Sequence, residues 1–489
     1  MCSSPILLTD LYELTMMAAY YDSGMQDVPA VFEYIFRKLP HDFGFCIFAG
    51  LDPLLDDLAE LHFSEDDLEY LRSLGIFSEK FIGAIRHFRF EGDVYAAPEG
   101  SLVFPNETVL RVHAPLAQAQ VVETLVLNRL NYQTLIATKA ARCAAAANGD
   151  PVVEFGLRRA QGPDGGISGS RAAFIGGASA TSNVLAGKLF QIPVMGTHAH
   201  SWVMAFPSEL DSFRAYVRAF PNNPVLLLDT YDTLESGLPN AITALGELRV
   251  QGREVRAGVR LDSGDLAKLS KEVHKRLEAA GFPNPLIVAS NELDEYLIAD
   301  MKRQGAKVNS WGVGTKLVTG GAEPALGGIY KLAAVASLLI PHRSLLPRMK
   351  LSNNPEKATD PGVKMPYRFY SRTGETGGDV MFLEGIEPAP EGQVVSVDRM
   401  VFERTRAFDE SAQRRPLLEP AMRKGQRLFP KKPLQDIQAY AKSQLQALPH
   451  EMQRLVNPEI YWVGLSTGLA QRKREAMREF WGGTGASTD

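Results

Sequence analysis

Between about residues 150 and 335 one pattern recurs, and it limits the fold more than any other feature of the chain. An apolar run of four to six residues ends in a polar, glycine-rich or charged cluster, and a helical pattern usually follows. The runs are PVVEFG (Pro151–Gly156), AAFIGG (Ala172–Gly177), PVMGT (Pro193–Thr197), PVLLLDT (Pro224–Thr230), AGVRLDSGD (Ala257–Asp265), PLIVASN (Pro285–Asn291), VNSWGVGT (Val308–Thr315) and GIYKLAAV (Gly328–Val335). Short buried runs alternating with helices predict parallel strands covered on both faces. A doubly wound sheet would gather its ligand groups at one switch point, whereas an α/β barrel sets them at the C-terminal ends of many strands. Here the polar clusters fall at the end of run after run. The expected fold class is therefore α/β, with an irregular TIM-like barrel.

The flanking segments lack this period. FEYIFRKLP (Phe32–Pro40) alternates as a strand, and FSEDDLEYLRSLG predicts a helix with Ser64 as N-cap, Asp67 three residues on and Gly75 at its end. Residues 1–130 are expected to form an N-terminal α+β domain, and 131–345 the barrel. Residues 346–489 read as a C-terminal extension, β-rich and then helical, that packs on the N-terminal domain. A chain of 489 residues is long enough for about three such units.

Charge and cysteine usage narrow the partners. Fifty-two Lys+Arg against 57 Asp+Glu give a net charge of −5, which leaves no global positive field for a nucleic acid. Cys2, Cys46 and Cys143 are odd in number and far apart, which supports neither a disulfide framework nor a zinc site. The longest apolar run, near Leu332–Ile340, falls far short of the ~18 to 20 residues a bilayer requires. A cytoplasmic protein with no membrane and no nucleic-acid partner is expected.

Four clusters could carry chemistry. RLDSGDL (Arg260–Leu266) crowds a guanidinium and two carboxylates at a strand end. It is either a structural ion cluster, or Asp262 and Asp265 bind ribose hydroxyls or a metal while Arg260 meets a carboxylate or phosphate. GVGTK (Gly312–Lys316) can turn backbone N–H groups inward as a phosphate nest, with Thr315 and Lys316 adding a hydroxyl and a charge. GLRRAQGPDGG (Gly156–Gly166) carries adjacent arginines, of which only one of Arg158 and Arg159 need face a site and either could be a solvated charge. GTHAHS (Gly196–Ser201) has histidines at i and i+2 without a third ligand at metal spacing, so a rim acid, base or nucleophile competes with a His satisfied locally. SNELDE (Ser290–Glu295) is too acidic for phosphate, and Ser290 and Asn291 are expected to cap a helix or touch a neutral part of a ligand. Together the clusters ask for a phosphorylated sugar or nucleotide precursor.

LLTDLYELTM, GLRRAQGPDGG, SNVLAGKLF, GTHAHS, LLLDTYDTLESGLPNAI, GVRLDSGDL and WGVGTK follow one another in the order found in the nicotinate phosphoribosyltransferase family. PRMKLSNNPEKATDPG also resembles that family's segment after the barrel. The resemblance runs from about residue 7 to 370. It implies an N-terminal α+β domain against an irregular barrel, in a homodimer with active sites near the subunit boundary. It further implies that nicotinate and phosphoribosyl pyrophosphate give nicotinate mononucleotide and pyrophosphate, with ATP hydrolysis coupled through a phosphohistidine. Mg²⁺ would accompany phosphoribosyl pyrophosphate and ATP, with no tightly bound organic cofactor and with metal ligands unassigned.

Position by position, Tyr12 matches the aromatic against the pyridine ring, Arg260 the arginine on the nicotinate carboxylate and Thr197 a further nicotinate contact. His200 matches the phosphorylated histidine, because His198 falls at a variable position of the family's pattern. Thr315, with Gly312 and Gly314, matches the phosphoribosyl pyrophosphate nest. Arg158, Asp229, Asp262, Ser263, Gly264 and Asp265 lie in matched motifs, with Asp229 and Asp262 expected beside the reacting sugar. Arg158, Arg260 and Lys316 are the positive charges expected around the substrates. Alternatives at this level are a nicotinamide or quinolinate phosphoribosyltransferase, or a non-catalytic nucleotide-binding homologue.

Overall fold

The structure is a computed structural model that describes residues 4–483, apart from 41, 251–255, 338–343, 353 and 355–356. Cys2 lies outside the described residues, and Cys46 and Cys143 are buried thiols. By contacts the chain divides into two compact units, Met1–Thr134 with Ala325–Asp489, and Leu135–Pro324.

The second unit is a mixed α/β assembly around a six-stranded sheet. Its order is Ala180–Thr181, Val152–Glu154, Ser310–Val313, Leu286–Ser290, Gly258–Leu261, Val225–Leu227, and every neighbouring pair is parallel. The helices between strands bury one stripe each. In Leu266–Ala279 the stripe is Leu266, Ser270, Val273 and Leu277, the i, i+4, i+7, i+11 spacing of an amphipathic helix. Against them the strands supply Leu226, Val259, Leu261, Ile287, Trp311 and Val313, all buried.

Three of the eight expected strand runs behave differently. Ala172–Gly177 closes the helix Gly162–Ile175, since a short apolar run has no period to separate a strand from a buried helical turn. Pro193–Thr197 contributes one isolated bridge, Val194 to Thr181. Gly328–Val335 lies in the strand Gly328–Ala336 of the first unit, antiparallel to Pro29–Phe36. Among the described residues no backbone ladder joins the Val225–Leu227 edge to the Val194 edge, so a hydrogen-bonded closed barrel is not observed.

The first unit holds a seven-stranded antiparallel sheet in which Glu419–Arg423 pairs with Asp93–Ala96. A six-stranded sheet is built from 364–466, with the order Thr405–Phe408, Val394–Asp398, Val463–Ser466, Thr376–Leu383, Lys364–Tyr370, Gln413–Pro416. The helix Glu65–Ser73 starts with the expected capping box between Ser64 and Asp67. Among the described residues no helix is long and apolar enough to cross a membrane.

Candidate active site

The polar clusters of the second unit converge at the C-terminal ends of its parallel strands. Arg260, in Gly258–Leu261, is the hub. Its Nε donates to Ser290 Oγ at 2.8 Å, one terminal nitrogen to Thr197 Oγ1 at 3.0 Å, and the other to Asp262 Oδ1 at 2.9 Å. Ser290 Oγ also donates to Asp262 Oδ1. Burial pushes the Asp262 carboxyl up, but the Ser290 hydroxyl and the Arg260 guanidinium outweigh it and hold the group below the usual carboxylate range. A guanidinium has five N–H groups. Three are held by protein, which leaves two for a ligand.

Asp229 follows Val225–Leu227 and ties the next strand end to it. Its Oδ2 accepts from Asp262 N at 2.8 Å and from Ser263 Oγ at 2.6 Å, and its Oδ1 lies 3.3 Å from His200 Nε2. The Asp229 side chain is 2% exposed and that of His200 43%, so a buried carboxylate orients an accessible imidazole. His198 has a different task. It is buried, packs edge-on to Tyr216 at 4.7 Å, and its Nε2 accepts from Leu227 N at 3.2 Å. Burial lowers its pKa to about 4, which suits a neutral acceptor.

The glycine cluster opens where Ser310–Val313 meets the short helix Thr315–Val318, whose first N–H groups have no intrahelical acceptor. At Gly312 a Cβ would come within 2.5 Å of the Phe155 ring, so only glycine lets that ring lie across the strand. The same ring is 5.9 Å from the Arg260 guanidinium. An aromatic face beside an arginine with two open N–H groups suits a flat organic acid.

Other expected residues are placed less simply. Gly264 turns with φ +77°, and Asp265 after it caps the helix Leu266–Ala279 through Lys268 N at 3.0 Å. Lys316 is not an open cation: it pairs with Asp294 at 2.9 Å, which holds its pKa up. Thr315 Oγ1 donates to Glu292 at 3.3 Å. Ser290 anchors Arg260 and is no helix cap; Asp294 is the cap of Glu295–Arg303. Arg158 and Arg159 are both exposed in a single helical turn, Leu157–Arg159. Tyr12 belongs to the first unit, exposed on the helix Leu11–Asp22, with its phenol pushed up by burial and by Glu123.

Two residues carry no sequence signal of their own. Phe155 sits inside an apolar-looking run. Glu154 before it is fully buried and accepts from Gly156 N, from Ser170 Oγ at 2.8 Å and from Thr181 Oγ1 at 2.6 Å. It is a carboxylate held by neutral donors, and it fixes the start of the Phe155–Arg159 turn. No group of three or more His, Cys, Asp or Glu among the described residues is arranged to hold a metal.

A rim that offers an arginine edge, an aromatic ring, two carboxylates, a histidine and a glycine-opened helix start is the kind of α/β enzyme site that suits a small organic acid and a phosphorylated partner. Comparison with known proteins names the family. Models of the nicotinate phosphoribosyltransferase N-terminal domain, family and C-terminal domain match residues 7–131, 151–336 and 363–473. The nicotinate phosphoribosyltransferase of Bacillus subtilis is 42% identical over 475 residues, covering 97% of this chain and 95% of its own. The human one is 36% identical, covering 95% of each chain. The crystal structure of human nicotinic acid phosphoribosyltransferase superposes with a TM-score of 0.83 at 32% identity, over 96% of this chain and 99% of that one. The chain belongs to the nicotinate phosphoribosyltransferase family.

Proposed function

We propose that this chain joins nicotinate to phosphoribosyl pyrophosphate, releasing pyrophosphate and forming nicotinate mononucleotide, in the cytoplasm. The observation that carries the reading is the Arg260 hub. Its three protein bonds fix the guanidinium plane, and the two remaining N–H groups match the two oxygens of a carboxylate. Phe155 supplies a face for the pyridine ring. The neutral amide of nicotinamide would gain only one acceptor there and no charge.

The pyridine nitrogen forms a bond to ribose C1 as the C1–O bond to pyrophosphate breaks. Positive charge grows on the sugar and negative charge on the leaving group, so stabilising both ends and aligning the reactants are the main tasks. Asp262, kept ionised by Ser290 and Arg260, faces the first need. The nest at Gly312, Gly314 and Thr315, with Arg158, faces the second. Mg²⁺ is proposed to arrive with the phosphates, since it keeps waters and needs only one or two carboxylates. Asp262 Oδ2, which makes no hydrogen bond among the described residues, is the best-placed oxygen.

His200 is proposed as the phosphorylated residue that couples ATP hydrolysis to synthesis. Asp229 engages Nε2, which leaves Nδ1 as the nucleophile. The assignment of Tyr12 to the pyridine ring rests on the family motif alone. The fold is read as an irregular barrel whose missing ladder is replaced by the His198–Leu227 bond. A homodimer is proposed from the exposed apolar residues Val184, Leu185, Leu189, Val194 and Met195, a patch that a second copy could cover. The test is a product assay with Mg²⁺ and phosphoribosyl pyrophosphate. Nicotinate should be consumed with one pyrophosphate released and with stimulation by ATP; consumption of quinolinate, or no product, overturns the reading.

A further inference from the structure

The six-stranded sheet of the first unit contains a charge arrangement that folding alone does not favour. Arg368 and Arg415 face each other in register on the neighbouring antiparallel strands Lys364–Tyr370 and Gln413–Pro416. Like charges directly opposite on one sheet repel. On its other side Arg368 is opposite Asp379 and is bonded to it, Nε to Oδ1 at 2.9 Å and one terminal nitrogen to Oδ2 at 2.7 Å. That nitrogen also donates to Leu102 O at 2.9 Å. Asp379, with Glu107 Oε1 3.6 Å from that same nitrogen, therefore answers Arg368, whereas among the described residues Arg415 has only the Tyr370 ring, at 5.7 Å.

These residues line a cavity of about 260 Å³. Arg368 is buried, with a relative exposure of 2%; Nε and one terminal nitrogen are bonded, and the other terminal nitrogen makes no hydrogen bond among the described residues. Lys432, just ahead of the helix Leu434–Ala447, brings a second cation with no carboxylate partner among the described residues, and Tyr440 and Gln444 line the cavity one helical turn apart. The Tyr370 phenol is pushed up by burial and stays a donor at neutral pH. The opposing charges are Asp379 and Glu107, buried behind Arg368, and Glu419, exposed on the rim. At ~30 Å³ per water the cavity has room for about eight waters, enough for one or two phosphate groups.

We propose that this cavity binds a small phosphate or diphosphate compound, with Arg368 at its floor and Arg415 and Lys432 as the charges that select it. The anion would relieve the Arg368–Arg415 juxtaposition and accept from the phenol and amide donors. The site shares no residue with the Arg260 rim, and the proposal does not depend on what that rim binds.

The test is calorimetric titration of inorganic pyrophosphate into the full chain and into the Arg415→Glu/Lys432→Glu double variant. The parent should bind one equivalent more per chain than the variant. The variant's nicotinate turnover in phosphate-free buffer should stay within twofold of the parent's. Crystals soaked in tungstate should show an anomalous peak against Arg368 and Arg415. Equal stoichiometry in parent and variant, or tungstate peaks only elsewhere, overturns the proposal. If the double variant does not fold, Arg415→Gln alone should weaken the extra equivalent at least tenfold, and unchanged affinity would be equally fatal.

Discussion

Arg260→Lys keeps the charge and removes the planar fork, so it isolates what the fork does. In the parent, Thr197, Ser290 and Asp262 take three N–H groups and a carboxylate can take the other two. An ammonium has three donors in all, so it cannot serve the protein partners and a bidentate ligand together. Hydrogen bonds to charged groups contribute about 1.5 to 3 kcal/mol each. Loss of one bidentate contact, partly offset by the retained charge, should cost about 3 kcal/mol. At 1.4 kcal/mol per decade this is roughly a hundredfold. Initial rates with labelled nicotinate and nicotinamide would measure it. We expect kcat/KM for nicotinate to fall about a hundredfold, while the nicotinamide value and KM for phosphoribosyl pyrophosphate move less than threefold. An equal loss with both acceptors, in a variant whose melting temperature is unchanged, would refute the carboxylate assignment. So would a selective rise in KM for phosphoribosyl pyrophosphate.

Three further outcomes follow from the two histidines and the buried acid. His200→Ala should abolish ATP stimulation and leave weak ATP-independent synthesis, read by comparing rates with and without ATP; retention of full stimulation would remove His200 from the coupling. His198→Asn should leave Leu227 N without its acceptor and lower stability by about 1 to 3 kcal/mol at pH 7.5. Because His198 titrates at about 4 when folded and near 6.5 when unfolded, the unfolded chain takes up the extra proton between those values. The stability this neutral imidazole confers is present above pH 6.5 and is lost as pH falls toward 4. Urea midpoints of parent and His198→Asn should thus converge over that window; a constant gap would contradict the neutral-acceptor role. Glu154→Gln replaces an acceptor of three donors by a group with one acceptor oxygen, and should lower stability by roughly 2 kcal/mol, with an unchanged urea midpoint as the contrary result.

The sequence made the parallel strands visible because their polar ends interrupt apolar runs, and Arg260, Asp229, Asp262 and Gly312 are such interruptions. It failed at Ala172–Gly177, where the run is too short to have a period. It showed Gly328–Val335 as a strand but not its sheet, because pairing with Pro29–Phe36 is a contact across some 300 residues of chain that no local signal encodes. Lys316 and Asp265 were legible as charges but not as local partners of Asp294 and of Lys268 N. Ser290 acts through side chains from other strands, and Glu154 takes two of its three donors, Ser170 and Thr181, from elsewhere in the chain. His198, at a variable position of the family pattern, is where folding and site meet: its ring fixes the loop that carries Thr197 and His200 to the strand that precedes Asp229.

The central claim is that the Arg260 edge and the Phe155 face select an aromatic acid as the acceptor of the phosphoribosyl group. The most direct measurement is the ratio of kcat/KM for nicotinate to that for nicotinamide, with purified protein, Mg²⁺, phosphoribosyl pyrophosphate and ATP. The ratio should be at least a hundred and fall toward one in Arg260→Lys. A ratio near one or below in the unaltered protein would contradict it.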